Sequence, residues 1–122
     1  MPKSILVVED DPNLRETICL HLRYAGYTVN GIANGLQAAA ACLKATPDLI
    51  ISDIRMPHMD GFEMMATLKT EPGMENIPVI FLTGDISGYE RGKDLGAVEY
   101  LIKPFEAKAL LDAVARLFSA RG

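Results

Sequence analysis

The chain has 122 residues, 49% of them hydrophobic, which predicts a single domain over 1–122 with a sizeable apolar core. Twelve Lys and Arg against sixteen Asp and Glu give a net charge of −4, which argues against direct binding of nucleic acid or of an anionic membrane through the overall field. The longest apolar run, Ala38 to Leu43, is far too short to span a membrane, and the N-terminal segment lacks the features of a signal peptide. We therefore expect a cytoplasmic protein.

Short apolar runs rich in Ile, Val and Leu recur along the sequence and predict five strands. The runs are too short and too continuous for strands with one exposed face, and they are typical of parallel strands that are buried on both faces. The predicted strands are Ile5–Val8, Val29–Ile32, Leu49–Ile51, Val79–Leu82 and Tyr100–Ile102.

The segment after the first predicted strand carries the signals of a well-bounded helix. Asp11 is placed to cap it, Pro12 occupies its first turn, and Gly26 follows its end. Cys19, in the same segment, and Cys42 are interpreted as small apolar core residues, because they form no CxxC motif. The buried face of this helix is predicted at Leu14, Ile18, Leu22 and Ala25.

Further helices follow the later strands. Two are predicted over Leu36–Lys44 and Phe62–Lys69, the second opened by Asp60 and Gly61. A fourth, over Ile86–Leu95, contains two glycines that each cost about 1 kcal/mol in a helix interior, so it is either the most mobile helix or irregular backbone. The closing helix has an apolar face formed by Ala107, Leu110, Leu111, Val114, Leu117 and Phe118.

Strands and helices thus alternate five times, which predicts five βα units with right-handed crossovers. Such units wrap a central parallel sheet with helices on both of its faces. The predicted fold class is a doubly wound α/β fold with a five-stranded parallel sheet and five helices.

Polar side chains follow four of the five predicted strands. Glu9 and Asp10 follow the first strand, Asp53 the third, Thr83 the fourth and Lys103 the fifth. Ligands of open parallel sheets bind beyond the carboxyl ends of the strands, so we expect these side chains to form one site. The site would hold three carboxylates, a hydroxyl and an ammonium.

Clustered carboxylates raise one another's pKa, so this group suggests a bound cation. Oxygen ligands without Cys or His favour a hard ion, and the predicted cofactor is Mg²⁺, with Mn²⁺ as a substitute. Thr83 and Lys103 are suited to contact phosphate oxygens, and Asp53 can attack phosphorus as a nucleophile. The predicted chemistry is phosphoryl transfer, whereas Asp11 and Asp60 are interpreted only as helix caps.

Four segments carry a resemblance to a known family: 5–12 (ILVVEDDP), 48–61 (DLIISDIRMPHMDG), 78–84 (PVIFLTG) and 96–105 (GAVEYLIKPF). In combination they make the sequence resemble, over essentially its whole length, the receiver domain of two-component response regulators. The resemblance implies a flavodoxin-like fold with the strand order 2-1-3-4-5, which periodicity alone does not provide.

The resemblance also implies roles for single residues around the metal. Asp53 matches the phosphoacceptor and a metal ligand, and Asp10 matches a second direct ligand. The backbone carbonyl of Arg55 would complete the protein's ligands, with Glu9 acting through water.

Other implied roles concern the phosphoryl group and the response to it. Thr83 and Lys103 match the residues that contact the phosphoryl group, Thr83 and Tyr100 match the pair that switches, and Pro104 matches a cis-proline. The phosphoryl group would come to Asp53 from a sensor histidine kinase, a phosphotransfer protein or a small donor such as acetyl phosphate, and water would later remove it.

Phosphorylation is then expected to change the surface formed by the fourth helix, the fifth strand and the closing helix, which would control a downstream output domain or target protein. The chain is expected to be a signalling switch that assists its own phosphorylation and dephosphorylation, and not an enzyme. A stand-alone receiver and a part of a longer regulator or hybrid kinase are equally compatible with the sequence.

Arg55 and Asp85 depart from the commonest usage of the family. Both would flank the path of the water that attacks phosphorylated Asp53, and their charges are opposite. We hypothesise that they pair across this path and slow dephosphorylation.

Two other interpretations fit less well. A phosphatase of the haloacid dehalogenase type would need a second aspartate two residues after Asp53, where Arg55 stands, and the GxGxxG and GxxxxGK[ST] motifs of nucleotide-binding proteins are missing. A receiver that has lost phosphorylation is disfavoured because Asp10, Asp53, Thr83 and Lys103 are all present.

Overall fold

The computed structural model describes residues 2–84 and 99–121. Five strands, a short 3₁₀ helix and four α-helices lie within these ranges. They are β1 (Ser4–Val8), α1 (Pro12–Tyr24), β2 (Thr28–Ile32), the 3₁₀ helix (Gly35–Gln37), α2 (Ala38–Lys44), β3 (Leu49–Asp53), α3 (Gly61–Lys69), β4 (Val79–Thr83), β5 (Glu99–Ile102) and α4 (Ala107–Arg121).

The five strands form one parallel sheet in the order β2-β1-β3-β4-β5. The order reverses between β1 and β3, because the chain crosses from β1 to β2 in one direction and returns to place β3 on the other side of β1. The predicted doubly wound α/β fold and its strand order are confirmed.

Alternating side chains of the strands build two separate cores. On β1, Ile5 and Val7 join a core with residues of α1 and α4, whereas Leu6 and Val8 join a core with residues of α2 and α3. Successive side chains of a strand point to opposite faces, so continuous apolar strands supply both cores at once. The helices therefore cover both faces of the sheet, as predicted.

The first helix begins and ends close to its predicted bounds. The side chain of Asp11 accepts hydrogen bonds from the backbone N–H groups of Asn13 and Leu14, which confirms it as the cap. One prediction is wrong: Ala25, which was predicted on the buried face, is the exposed C-cap residue. The helical period ends at Tyr24, so Ala25 no longer points at the core.

The second predicted helix is divided in two. The 3₁₀ turn at Gly35–Gln37 precedes α2, and the Asn34 side chain accepts a hydrogen bond from the N–H of Gln37. The helix predicted over Phe62–Lys69 is present and starts one residue earlier, at Gly61.

Several further predictions can be placed against the described ranges. Cys19 and Cys42 are free and buried in the two cores, as interpreted from the sequence. The helix predicted over Ile86–Leu95 lies outside the described residues. Within 2–84 and 99–121, no helix combines the length and the apolar character needed to cross a bilayer.

Candidate functional site

The carboxyl ends of β1 and β3 lie side by side where the strand order reverses. Val8 pairs with Ser52 in the register of the two strands, so Glu9 and Asp53, the residues that follow, are brought close together. The N–H of Glu9 donates to the carbonyl of Ile32 at 3.0 Å and holds the end of β1 against β2. The fold thereby gathers acids from distant parts of the sequence at the position where open parallel sheets bind ligands.

Three carboxylates form the acidic cluster, which consists of Glu9, Asp10 and Asp53. Each offers one oxygen, and these oxygens all lie within 4.8 Å of one another. Glu9 is 1% exposed and Asp53 is 8% exposed, whereas Asp10 is exposed to solvent. A set of carboxylate oxygens that is open to water on one side fits a hard divalent cation such as Mg²⁺, which retains several waters and takes one or two carboxylates.

The side chain of Lys103, just after β5, reaches the acidic cluster across the sheet. Its Nζ lies 2.8 Å from Oδ2 of Asp53 and 3.2 Å from Oε1 of Glu9. The N–H of Lys103 donates to the carbonyl of Thr83 at 2.7 Å, which fixes the residue beside β4, and the peptide bond to Pro104 is cis. Among the described residues, no other Lys or Arg forms an ion pair with the cluster.

Burial and charge determine the protonation of Glu9 and Lys103. Burial is the main cause that raises the pKa of Glu9 to about 7; the charge of Asp53 and a hydrogen bond with Asp10 add to it, and the N–H of Asp11 and the charge of Lys103 oppose it. Burial lowers the pKa of Lys103, but its contacts with Asp53 and Glu9 outweigh burial, so this pKa is raised. A further positive charge at the cluster would favour the ionised form of Glu9.

Thr83 and Tyr100 lie on neighbouring strands and on the same face of the sheet. Asp53 pairs with Leu82, so Thr83, which is 6% exposed, lies one residue further along the strand next to β3. Successive residues alternate between faces, so Thr83 shares the face of Phe81, and the Tyr100 ring packs against Phe81 with the centroids 5.7 Å apart. Thr83 and Tyr100, the residues expected to switch, therefore lie on the face of the sheet that carries Phe81.

The loop after β3 carries Arg55, and backbone hydrogen bonds hold its start to β4 and its end to its start. Ile54 donates its N–H to the carbonyl of Leu82 at 3.3 Å and accepts at its own carbonyl from the N–H of Gly61 at 2.7 Å. Arg55 is exposed, and the role of its carbonyl as a metal ligand stays a prediction. Asp85 lies outside the described residues, so its pairing with Arg55 also stays a prediction.

Sequence reasoning missed two residues that shape this site. Nη1 of Arg15 donates to the backbone carbonyl of Glu9 at 2.8 Å. The one sequence signal for this contact was the position of Arg15 in the first turn of the helix that Asp11 caps. A Cβ atom on Gly61 would lie 2.6 Å from the carbonyl oxygen of Asp53. The sequence indicated Gly61 only as the start of a helix. The signal for a close contact was the glycine itself, because most residues are acceptable at the first position of a helix.

Comparison with known proteins places these features in a family. The family model of the response regulator receiver domain matches residues 5–115. Chemotaxis protein CheY4 of Vibrio cholerae has the same fold, with a TM-score of 0.91 and 35% identity over 95% of this chain and 98% of that chain. The receiver domain of sensor histidine kinase PA1611 from Pseudomonas aeruginosa, described with a magnesium ion coordinated in its active site cleft, has a TM-score of 0.86 and 30% identity over 95% of this chain and 97% of that chain.

Curated relatives include proteins that are longer than this chain. The DNA-binding dual master transcriptional regulator RpaA of Synechocystis is 36% identical over 119 residues, which cover 96% of this chain and 49% of RpaA. The chain spans about half the length of the first curated relatives that it matches.

Proposed function

Because the chain belongs to the response regulator receiver domain family, whose members are signalling switches and not classical enzymes, we propose that it accepts a phosphoryl group on Asp53. The observation that carries this proposal is the set of charged groups around the Asp53 carboxylate. Lys103 lies 2.8 Å from it, and an oxygen from each of Glu9 and Asp10 lies within 4.8 Å. A buried carboxylate with one ammonium and two further acids beside it is suited to nucleophilic attack on phosphorus.

The donor in this proposal is a phosphohistidine of a histidine kinase or phosphotransfer protein, or a small acyl phosphate. An oxygen of Asp53 forms a bond to phosphorus while the bond from phosphorus to the donor atom breaks, and the donor leaves with the electron pair. When the donor is a phosphohistidine, its ring nitrogen is left able to take a proton. The product is an acyl phosphate, which water hydrolyses to restore the carboxylate.

Two side chains of the described chain stabilise the transferred group. The ammonium of Lys103, which contacts Asp53 before transfer, is placed to follow the new negative charge on the phosphoryl oxygens. The hydroxyl of Thr83, at the end of the neighbouring strand, is the proposed donor on the other side. A Mg²⁺ ion held by Asp10, Asp53 and the carbonyl of Arg55, with Glu9 acting through water, would neutralise charge on the same oxygens.

The proposed readout runs from Thr83 to Tyr100. Movement of the Thr83 hydroxyl towards the phosphoryl group would free space on the face where Tyr100 packs on Phe81, and Tyr100 would fill that space. The surface around β5 and α4 would then change for a downstream output domain or target protein. RpaA is a DNA-binding regulator twice as long as this chain, which supports an output domain as one candidate reader.

Intact-mass measurement after incubation with Mg²⁺ and acetyl phosphate tests the proposal. We expect the wild type to gain one acid-labile phosphoryl group and Asp53→Asn to gain none. Asp48→Asn is the matched control, because Asp48 is an aspartate at the opposite end of β3 and accepts from the N–H of Ser4. No phosphoryl gain in the wild type, or an equal gain in Asp53→Asn, would show that Asp53 is not the acceptor.

A further inference from the structure

The side chain of Arg15 connects α1 to the backbone of the acidic cluster. Arg15 is half-buried, and its Nη1 donates to the carbonyl of Glu9 at 2.8 Å. This carbonyl belongs to the peptide group that joins Glu9 to Asp10. The hydrogen bond therefore fixes the orientation of the peptide immediately before the exposed carboxylate of the cluster.

Other hydrogen bonds hold the same short segment from different sides. The N–H of Glu9 donates to the carbonyl of Ile32 at 3.0 Å, and the N–H of Asp11 donates to Oε2 of Glu9 at 3.2 Å. Arg15 supplies the bond to the carbonyl, so the peptide groups on both sides of the Glu9 Cα are held. Arg15 forms this bond with an uncharged backbone carbonyl, so the role of its guanidinium here is to orient the segment.

Gly31 provides the space through which the arginine side chain passes. A Cβ atom on Gly31 would lie 3.1 Å from Cγ and 3.3 Å from Cδ of Arg15, and 3.1 Å from Sγ of Cys19. Gly31 does not have a positive φ, so its backbone conformation does not call for glycine. Because β2 lies beside β1, an added methyl group here would push Arg15 away from its path to Glu9.

We propose that Arg15 is a positioning residue for the acidic cluster, and that Gly31 permits this role by leaving room for its side chain. The inference rests on the proposed Mg²⁺-dependent function of the same site. By fixing the Glu9–Asp10 peptide, Arg15 holds the carboxylates of Glu9 and Asp10 in position relative to Asp53 before a cation binds. Groups that orient metal ligands in this way commonly change metal affinity by about tenfold or more when they are removed.

A Mg²⁺ titration followed by the amide NMR shifts of residues 9, 10 and 53 tests this role. We expect Arg15→Met and Gly31→Ala each to weaken Mg²⁺ binding by about tenfold. Arg23→Met is the matched control, because Nη2 of Arg23 donates from the same helix to another backbone carbonyl, that of Val29 on β2, at 3.0 Å. Arg23→Met should lower the unfolding midpoint about as much as Arg15→Met and leave Mg²⁺ affinity unchanged.

A double variant separates positioning from a general loss of stability. In the Arg15→Met background, Gly31→Ala should weaken Mg²⁺ binding no further, because the guanidinium hydrogen bond to Glu9 that the methyl group would disturb is already absent. Phosphorylation of Arg15→Met by acetyl phosphate should require a higher Mg²⁺ concentration to reach half of its maximal rate. At saturating Mg²⁺ this maximal rate should equal that of the wild type.

The outcomes distinguish the two proposals. If the wild type binds Mg²⁺ and Arg15→Met binds it equally well, or if Arg23→Met weakens binding to the same extent, the positioning role is wrong and the proposed function stands. If the wild type does not bind Mg²⁺, the proposed metal-dependent function fails and the positioning role fails with it.

Discussion

Gly61 occupies a point where the chain has no room for a side chain. Its Cβ would lie 2.6 Å from the carbonyl oxygen of Asp53 and 2.8 Å from Cε1 of Phe81. The Asp53 carbonyl cannot easily retreat, because it ends β3 and accepts a hydrogen bond from the hydroxyl of Ser52 at 2.8 Å. The close approach lets α3 start directly against the strand that carries the proposed phosphoacceptor.

Gly61→Ala is expected to lower the free energy of unfolding by about 1–3 kcal/mol, the range for forcing extra atoms into a packed region. Alanine is a better helix former than glycine, so intrinsic propensity works against this loss and a net destabilisation reports the clash. Urea unfolding measures the effect. Gly84→Ala is the control, because a Cβ there meets no described atom within 4 Å; an equal loss in both variants would contradict the explanation.

At the scale of elements, the start of α3 is defined by a reciprocal cap. Oδ1 of Asp60 accepts from the N–H of Glu63 at 2.8 Å, and Oε1 of Glu63 accepts from the N–H of Asp60 at 3.2 Å. This capping box satisfies two backbone donors at the helix end that faces the loop after β3. It therefore sets where that loop ends and the helix begins.

We expect Asp60→Ala to reduce the free energy of unfolding by about 1 kcal/mol, since the cap to the Glu63 N–H is lost. Asp60→Asn keeps an oxygen acceptor but removes the charge, so it should retain most of the stability. Chemical denaturation of the two variants provides the comparison. If Asp60→Asn loses as much as Asp60→Ala, the charge at the helix end matters more than the hydrogen bond.

For the molecule as a whole, the site has a cost in stability that depends on pH. The pKa of Glu9 is raised from 4.5 to about 7 in the folded protein, mainly by burial. The folded state thus holds this proton more tightly than the unfolded state, and stability falls as the pH rises from about 4.5 to about 7. The pKa of Lys103 is raised above its ordinary value of 10.5, so the contacts of its ammonium stabilise the folded state fully at every pH below 10.5. This contribution is therefore constant between pH 4.5 and pH 7.

The metal-free protein should accordingly be more stable at pH 5 than at pH 8, by up to about 3 kcal/mol from Glu9. Glu9→Gln cannot ionise and should lose this part of the pH dependence. Mg²⁺ at pH 8 should restore stability to the wild type, because it compensates the ionised cluster of Glu9, Asp10 and Asp53. Unfolding in EDTA and in Mg²⁺ measures both effects, and an unchanged pH dependence in Glu9→Gln would refute the assignment.

The sequence by itself determined the strands, the helix caps and the acids that follow the strands. Apolar runs, the Asp11 and Asp60 caps and the alternation of elements act over a few residues, so they can be read locally. The family resemblance then supplied the strand order that the sheet confirms. The exposure of Ala25 at the end of α1 and the 3₁₀ turn before α2 departed from prediction, since they depend on how each helix end packs.

Only the tertiary structure decided which side chains meet. Lys103 contacts both Asp53 and Glu9, which are 50 and 94 positions away in the sequence. These contacts form because β1, β3, β4 and β5 are neighbouring parallel strands, whose carboxyl ends lie at the same edge of the sheet. The contact of Arg15 with the Glu9 carbonyl and the need for glycine at position 61 depend on differences in atomic separation of about a few tenths of an ångström. Local patterns carry no information on such distances, because close packing between distant segments sets them.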